Sequence, residues 1–367
     1  MFVTVSPAVS RCDSPHCYST EGATMNIETQ SCVITGKKQV SVAQQQVQWD
    51  GTGTLVRITR GGICGSDLHY YQEGKVGSFE VKMPMILGHE VIGYVVESDD
   101  PQLQPNQKVA VNPSKPCGSC KYCLRVQQNQ CTSMRFFGSA MYLPHVDGGF
   151  TQYKVVDSAQ CVPFPQEADD SVMVFAEPLA VCIHATQQAG DLSGKTVFIS
   201  GVGPIGCLIA AAAKARGAAE IICSDISERS LSLAQQMGAT GVIHAANGDF
   251  TPYLADKGFF DVAFEASGHP SSLQRCLDVV CAKGTLVQVG MGGTIPDFPL
   301  MTLIAKEINL VGSFRFTHEF NTAVDWLACG VVNPLPLFSG EYDLQDIDAA
   351  LQFAGDKTRA AKVQLTF

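Results

Sequence analysis

From residue 28 to about residue 175 the apolar positions come in short runs, TLVRITR, EVIGYVV, KVAVNP and FTQYKVV, each bounded by glycine, proline or polar residues. Runs of this length predict the strands of an antiparallel β domain. FAEPLAVCIHATQQAG then carries its apolar residues at helical spacing, and after it the pattern changes. KTVFISGVGPIGCLIAAAAKARGAAEIICSDIS reads strand, glycine turn, Ala-rich helix and strand, the βαβ signature of a parallel sheet. FDVAFEASG, GTLVQVG and INLVGSF continue as apolar strands between helical stretches. From FRFTHEF to the end the alternation is lost, so this tail is expected to rejoin the first domain. No internal repeat of about 20 to 50 residues is visible.

At 367 residues the chain exceeds the size at which a single core stops growing, and two domains are expected. Residues 1–24 are rich in Ser, Thr and Pro and precede Met25, and are expected to be a disordered extension or an upstream start. The remainder divides into a catalytic β domain over 25–180, a nucleotide-binding domain over 181–314 and a return to the first domain over 315–367. A composition with 46% hydrophobic and 16% charged residues describes a packed globular protein. Its net charge of −10 opposes binding to a phosphate backbone, so no nucleic-acid partner is expected. No apolar stretch approaches the roughly 18 residues of a membrane helix, and the start lacks the pattern of a secretory signal. Fifteen cysteines, an odd number in a long chain, fit reduced thiols and a cytoplasmic protein better than a disulfide scaffold.

Gly201, Gly203 and Gly206 form GxGxxG, with Pro204 and Ile205 opening the helix that follows. The preceding strand and Asp225, nineteen residues after Gly206, make this a dinucleotide turn rather than an ordinary glycine bend. Asp225 can accept bonds from ribose hydroxyls and repel a 2′-phosphate, which favours NAD; Arg229 nearby tempers that preference toward NADP.

Cys117, Cys120, Cys123 and Cys131 are spaced C-x2-C-x2-C-x7-C within a lobe at 115–132. Four thiolates this close suit one tetrahedral zinc, and with every position filled by protein the metal is structural. An iron–sulfur centre and a pair of disulfides are the alternatives, though the last gap departs from ferredoxin spacing. Cys64, His89, Glu90 and Glu177 offer the mixed sulfur, nitrogen and oxygen donors of an open zinc site. Their spacing alone does not bring them together, and a lone cysteine is often a buried hydrophobe.

GICGSDLH, GHE, the four-cysteine lobe, EPLAVCIHA and GVGPIG, in this order, resemble the zinc-dependent medium-chain dehydrogenases from about residue 28 onward. HYYQEGKVG and GSFRF resemble their polyol branch, and NPSKPCGSCKYC with MRFFGSAMYLPHVDGGF resembles members that oxidise a sugar acid. The resemblance implies an α/β fold: a doubly wound Rossmann domain beside a discontinuous, mostly β, GroES-like catalytic domain. It implies two zinc ions per chain, NAD as hydride acceptor, and a homodimer or homotetramer. Cys64 and His89 match ligands of the catalytic zinc, and Glu90 and Glu177 match the two carboxylate positions that share its remaining place. Asp67 matches a carboxylate that orients the histidine, and Ser66 and His69 match a proton relay. The C5 hydroxyl of an aldonate would bind the zinc and yield its hydride to nicotinamide. Arg315 is the expected partner of the substrate carboxylate, with Arg135 and Lys75 competing, and Tyr70 and Phe137 are expected to line the cleft. Phe316 stands where sorbitol enzymes carry tyrosine, removing a hydroxyl from the rim. A sorbitol or xylitol dehydrogenase is the alternative enzyme, and a non-catalytic protein that binds NAD and zinc is the alternative of another class.

Overall fold

A computed structural model describes residues 24–293, 295 and 297–367; the expected N-terminal extension lies almost wholly outside the described residues. The chain begins with a long hairpin, Met25–Gly36 against Gln39–Trp49, turned at Lys38 with φ +54°. A seven-stranded sheet follows, ordered Cys161–Pro163, Lys108–Val111, Glu90–Ser98, Thr54–Gly62, Lys362–Thr366 and Phe338–Asp343, with Tyr153–Val156 also pairing Thr54–Gly62. Its pairings are antiparallel except between the last two strands. Val56, Ile58, Val91, Val95, Val109 and Leu365 alternate into one core around the fully buried Phe150.

The glycine-turn half is a six-stranded, wholly parallel sheet ordered Gly241–His244, Glu220–Asp225, Thr196–Ser200, Phe260–Glu265, Val280–Gln288 and Asn309–Gly312. Apolar strand centres such as Val197, Phe198 and Ile199 are buried, because helices cover both faces of a parallel sheet. The strand order reverses at Thr196–Ser200, which opens the crevice where such sheets bind ligands.

Three helices carry the site: α1 (Gly65–Glu73), α2 (Ala176–Gln188) and α3 (Pro204–Ala215). A fourth, α4 (Glu319–Ala328), packs along α2 and shares a core with the parallel sheet through Phe320, Val324 and Leu327, joined by Phe316 just before it. Rejoining of the β sheet therefore begins at Phe338 rather than at residue 315, because the apolar face of α4 is buried against α2.

Candidate metal centre and cofactor cleft

Cys64 and His89 are brought together by strand register. Gly62 pairs with Glu90, so the ends of Thr54–Gly62 and Glu90–Ser98 lie side by side and the residues just beyond them converge. Asp67 locks the junction: its carboxylate accepts from the backbone N–H of Cys64 at 2.9 Å and of Gly88 at 3.1 Å. Donor atoms of Cys64, His89 and Glu90 then lie within 4.8 Å of one another. A thiol, an imidazole and a carboxylate this close fit an ion with bonds of about 2.0–2.3 Å, as zinc makes. The electrostatics agree. Burial works against a charged His89 ring, yet Cys64 and Asp67 outweigh it and carry His89 up to about 10, so the pocket favours positive charge.

Glu90 enters the site because Gly62 has no side chain; a Cβ there would strike the Glu90 carboxylate. Both Glu90 oxygens accept from Lys362 Nζ, at 2.7 and 2.8 Å, and Lys362 also donates to the Ile63 carbonyl at 3.2 Å. Glu177, in the first turn of α2, is buried outside the three-donor group, and burial pushes its carboxyl up to about 7 against the opposing pull of His89.

Along α1, Ser66 is half-buried, while His69 is exposed and bonded to Glu73 at 3.2 Å. Tyr70 is buried and its hydroxyl accepts from the Ala140 N–H at 3.0 Å. The Asp67 carboxylate lies 3.9 Å from His89 Nδ1, beyond hydrogen-bond reach, and its bond in this segment is to the Gly88 N–H next to the histidine. Phe136, not the expected Phe137, faces the centre, with its ring 5.5 Å from that of His89. Neighbours in extended chain point to opposite sides, and Phe137 lines a separate cavity of about 610 Å³ with Lys154 over its ring. Arg135 borders that same cavity and Lys75 is exposed, so neither accompanies His89. The Arg315 guanidinium stacks on Phe136 at 4.1 Å and on Phe314 at 4.9 Å; burial lowers its pKa, with Glu177 acting in the other direction. Phe316 is 1% exposed and stacks on Phe320, so it lies in the core and not on the rim.

The four cysteine sulfurs of the lobe lie within 4.8 Å of one another, with Cys117–Cys123 at 4.0 Å and Cys120–Cys123 at 3.6 Å. Tetrahedral zinc–sulfur bonds of about 2.3 Å separate sulfurs by roughly 3.8 Å. Backbone N–H groups of Cys123 and Thr132 bring the Cys120 thiol down to about 5, supplying a thiolate. The donor set and spacing fit a closed metal site.

At the glycine turn, Gly201 takes φ +88°, and a Cβ on Gly206 would strike the Gly201 carbonyl. Gly203 caps α3, and Pro204 and Ile205 begin it, aiming the helix N-terminus at the crevice. Asp225 accepts from the N–H groups of Val202 at 2.8 Å and Ser227 at 2.9 Å, which fixes it at the strand end. Arg229 reaches across to Ser339 at 3.4 Å.

Sequence reading missed Lys362 and Phe136. A signal for Lys362 exists, a lone cation inside the apolar strand KVQLT. Nothing in RFF distinguishes one phenylalanine from the other.

Among the described residues no helix is long and apolar enough to cross a membrane. The model for the alcohol dehydrogenase GroES-like domain matches residues 50–166, and that for zinc-binding dehydrogenase matches residues 204–329. L-idonate 5-dehydrogenase (NAD(P)+) of Escherichia coli K12 is 66% identical over 343 residues, covering 94% of this chain and 100% of that one. Sorbitol dehydrogenase of Bacillus subtilis is 35% identical over 314 residues, covering 82% and 87%. The crystal structure of the Escherichia coli L-idonate enzyme superposes with a TM-score of 0.93 at 65% identity, covering 94% of this chain and 99% of that one.

Proposed function

This chain belongs to the zinc-binding alcohol dehydrogenase family, and on that premise we propose that it oxidises the C5 alcohol of L-idonate to 5-keto-D-gluconate, reversibly and with NAD preferred. The observation that carries the substrate reading is a cation beside the donor triad. His89 and Arg315 both pack on the Phe136 ring, so an alcohol held at the triad and a carboxylate held by the guanidinium can belong to one small molecule. A plain polyol offers that arginine only neutral hydroxyl acceptors, not a charged bidentate one.

Cys64, His89 and Glu90 are the proposed ligands of the reactive metal, with Glu177 in reserve, and Cys117, Cys120, Cys123 and Cys131 those of the structural one. When bound, zinc supplies Lewis-acid polarisation of the alcohol oxygen and NAD supplies the hydride acceptor. The residues around them do the rest. Lys362 holds both Glu90 oxygens and so fixes the carboxylate beside Cys64 and His89. Tyr70 and Phe136, both buried, wall the reacting carbon from water. Ser66, half-buried on α1, would take up the alcohol proton, and the exposed His69 would release it to solvent. The 201–206 turn binds the pyrophosphate, and Asp225 binds the adenosine ribose, with Arg229 tolerating a 2′-phosphate.

We further propose a cytoplasmic homo-oligomer. Its support is the outer strand Asn309–Gly312, an open sheet edge on which Leu310 is 40% exposed, beside the helix Leu300–Lys306 with Leu300, Met301 and Ile304 exposed.

The test is NAD- and NADP-linked turnover of L-idonate, D-gluconate and sorbitol, before and after chelation, with zinc counted per chain. Preference for L-idonate and two zinc ions are expected. Sorbitol turned over as efficiently as L-idonate would refute the substrate, and a single tightly held zinc without turnover would favour a binding protein.

A further inference from the structure

We propose that Asn129, His184 and Glu319 are positioning residues that clamp the backbone on both sides of Arg315 and so hold its guanidinium where a substrate carboxylate is read. The inference rests on the proposed function, in which Arg315 meets that carboxylate.

Arg315 has φ +54°, in the left-handed region that a non-glycine residue occupies only when its surroundings impose it. The surroundings are identifiable. On the N-terminal side, Asn129 Nδ2 donates to the Phe314 carbonyl at 2.9 Å. On the C-terminal side, Glu319 Oε2 accepts from the Thr317 N–H at 2.6 Å and the Thr317 hydroxyl at 3.0 Å. His184 joins the two grips: its Nδ1 lies 3.0 Å from Glu319 Oε1, and its Nε2 lies 3.4 Å from the Asn129 amide nitrogen and 3.3 Å from that of Gln188.

The clamp draws on three parts of the chain. Asn129 comes from the turn Gln128–Gln130 inside the four-cysteine lobe, His184 from α2, and Glu319 from the first turn of α4. All three are at most 8% exposed and, with Phe314, border a cavity of about 610 Å³. None belongs to the donor triad. Their arrangement gives the lobe a task beyond stability: Asn129, two residues before Cys131, transmits the lobe's position to the only segment that carries Arg315. With both flanking peptides fixed, the guanidinium stays between Phe136 and Phe314 without having to be ordered by substrate.

The experiment is a double-mutant cycle on the holoenzyme with Asn129→Ala and Arg315→Met. It reads the ratio of KM for L-idonate to KM for L-iditol, the uncharged counterpart; if L-iditol is not oxidised, its inhibition constant replaces its KM. Zinc content and NADH affinity of each variant identify any that fails to fold. Arg315→Met should raise the ratio by about fiftyfold and Asn129→Ala by about tenfold, the range of one charge-assisted hydrogen bond. The double variant should not exceed Arg315→Met alone, because a clamp has nothing left to position. Glu319→Gln, which acts from the other side of the loop, repeats the cycle independently of the lobe. Multiplying effects, or an Asn129→Ala effect shared equally by both ligands, would overturn the clamp. An unchanged ratio in Arg315→Met would instead overturn the carboxylate reading, and the clamp with it.

Discussion

Replacing Lys362 by methionine isolates one interaction whose magnitude the structure sets. Lys362 is 4% exposed and Glu90 1%, with both carboxylate oxygens on one ammonium at 2.7 and 2.8 Å. Methionine matches the stem and removes the charge. Breaking a buried pair from one side costs about 3–5 kcal/mol, since the remaining ion has lost both water and partner, and at these exposures solvent restores little. For folding units of this size the loss corresponds to a fall in Tm of about 6–20 °C. Guanidinium denaturation and thermal scans of wild type, Lys362→Met, Glu90→Gln and the double variant would measure it. The double variant should recover most of the loss, because a neutral pair of similar volume is tolerated where a lone charge is not. The loss should be larger after chelation, when no metal cation stands beside Glu90. A Lys362→Met protein within about 1 kcal/mol of wild type, or a strictly additive double variant, would refute the reasoning.

Other outcomes follow from the same geometry. Cys64→Ala should abolish turnover while leaving NADH binding, followed by fluorescence, unchanged; normal activity would remove Cys64 from the centre. Cys120→Ser should lose one of two zinc ions and lower Tm, whereas full metal content in that variant would contradict the closed four-thiolate site. Asp225→Ser should raise KM for NAD by about tenfold and shift the kcat/KM ratio toward NADP, since the turn at Val202 loses its acceptor and the ribose its partner. Burial raises the Glu319 carboxyl, but bonds from His184 and the Thr317 N–H overcome this and hold it at about 2, below its ordinary 4.5. A depressed folded value means stability present above about pH 4.5 and lost as pH falls toward 2, so Glu319→Gln should flatten the urea stability curve across that window. Equal slopes in wild type and variant would count against it.

The family, the nucleotide turn and the cysteine lobe were legible in the sequence because they are local. Three glycines within six residues, or three cysteines within seven, can meet only in a few backbone geometries, so spacing alone carries the chemistry. The position of Asp225 at the end of the second strand follows from the same βαβ unit. Resemblance in motif order then extended the reading to Cys64 and His89, which spacing by itself left apart.

Tertiary structure decided what depends on register and on which way a side chain faces. The pairing of Gly62 with Glu90 is what turns two residues twenty-five apart into one donor set. Lys362, at the far end of the chain, reaches Glu90 only because the terminal strand inserts beside Thr54–Gly62. Phe136 displaced Phe137 as the wall of the site, since alternation along an extended chain is set by neighbouring strands and not by residue type, and Phe316, in the loop after Arg315, went to the core by stacking on Phe320. The loop holding Arg315 in a left-handed conformation is fixed by three residues between 4 and 186 positions away, which no local pattern encodes. Local spacing thus determined which chemistry the chain carries, and long-range pairing and burial determined which side chains surround it, because those choices are made by contacts the sequence does not order along its length.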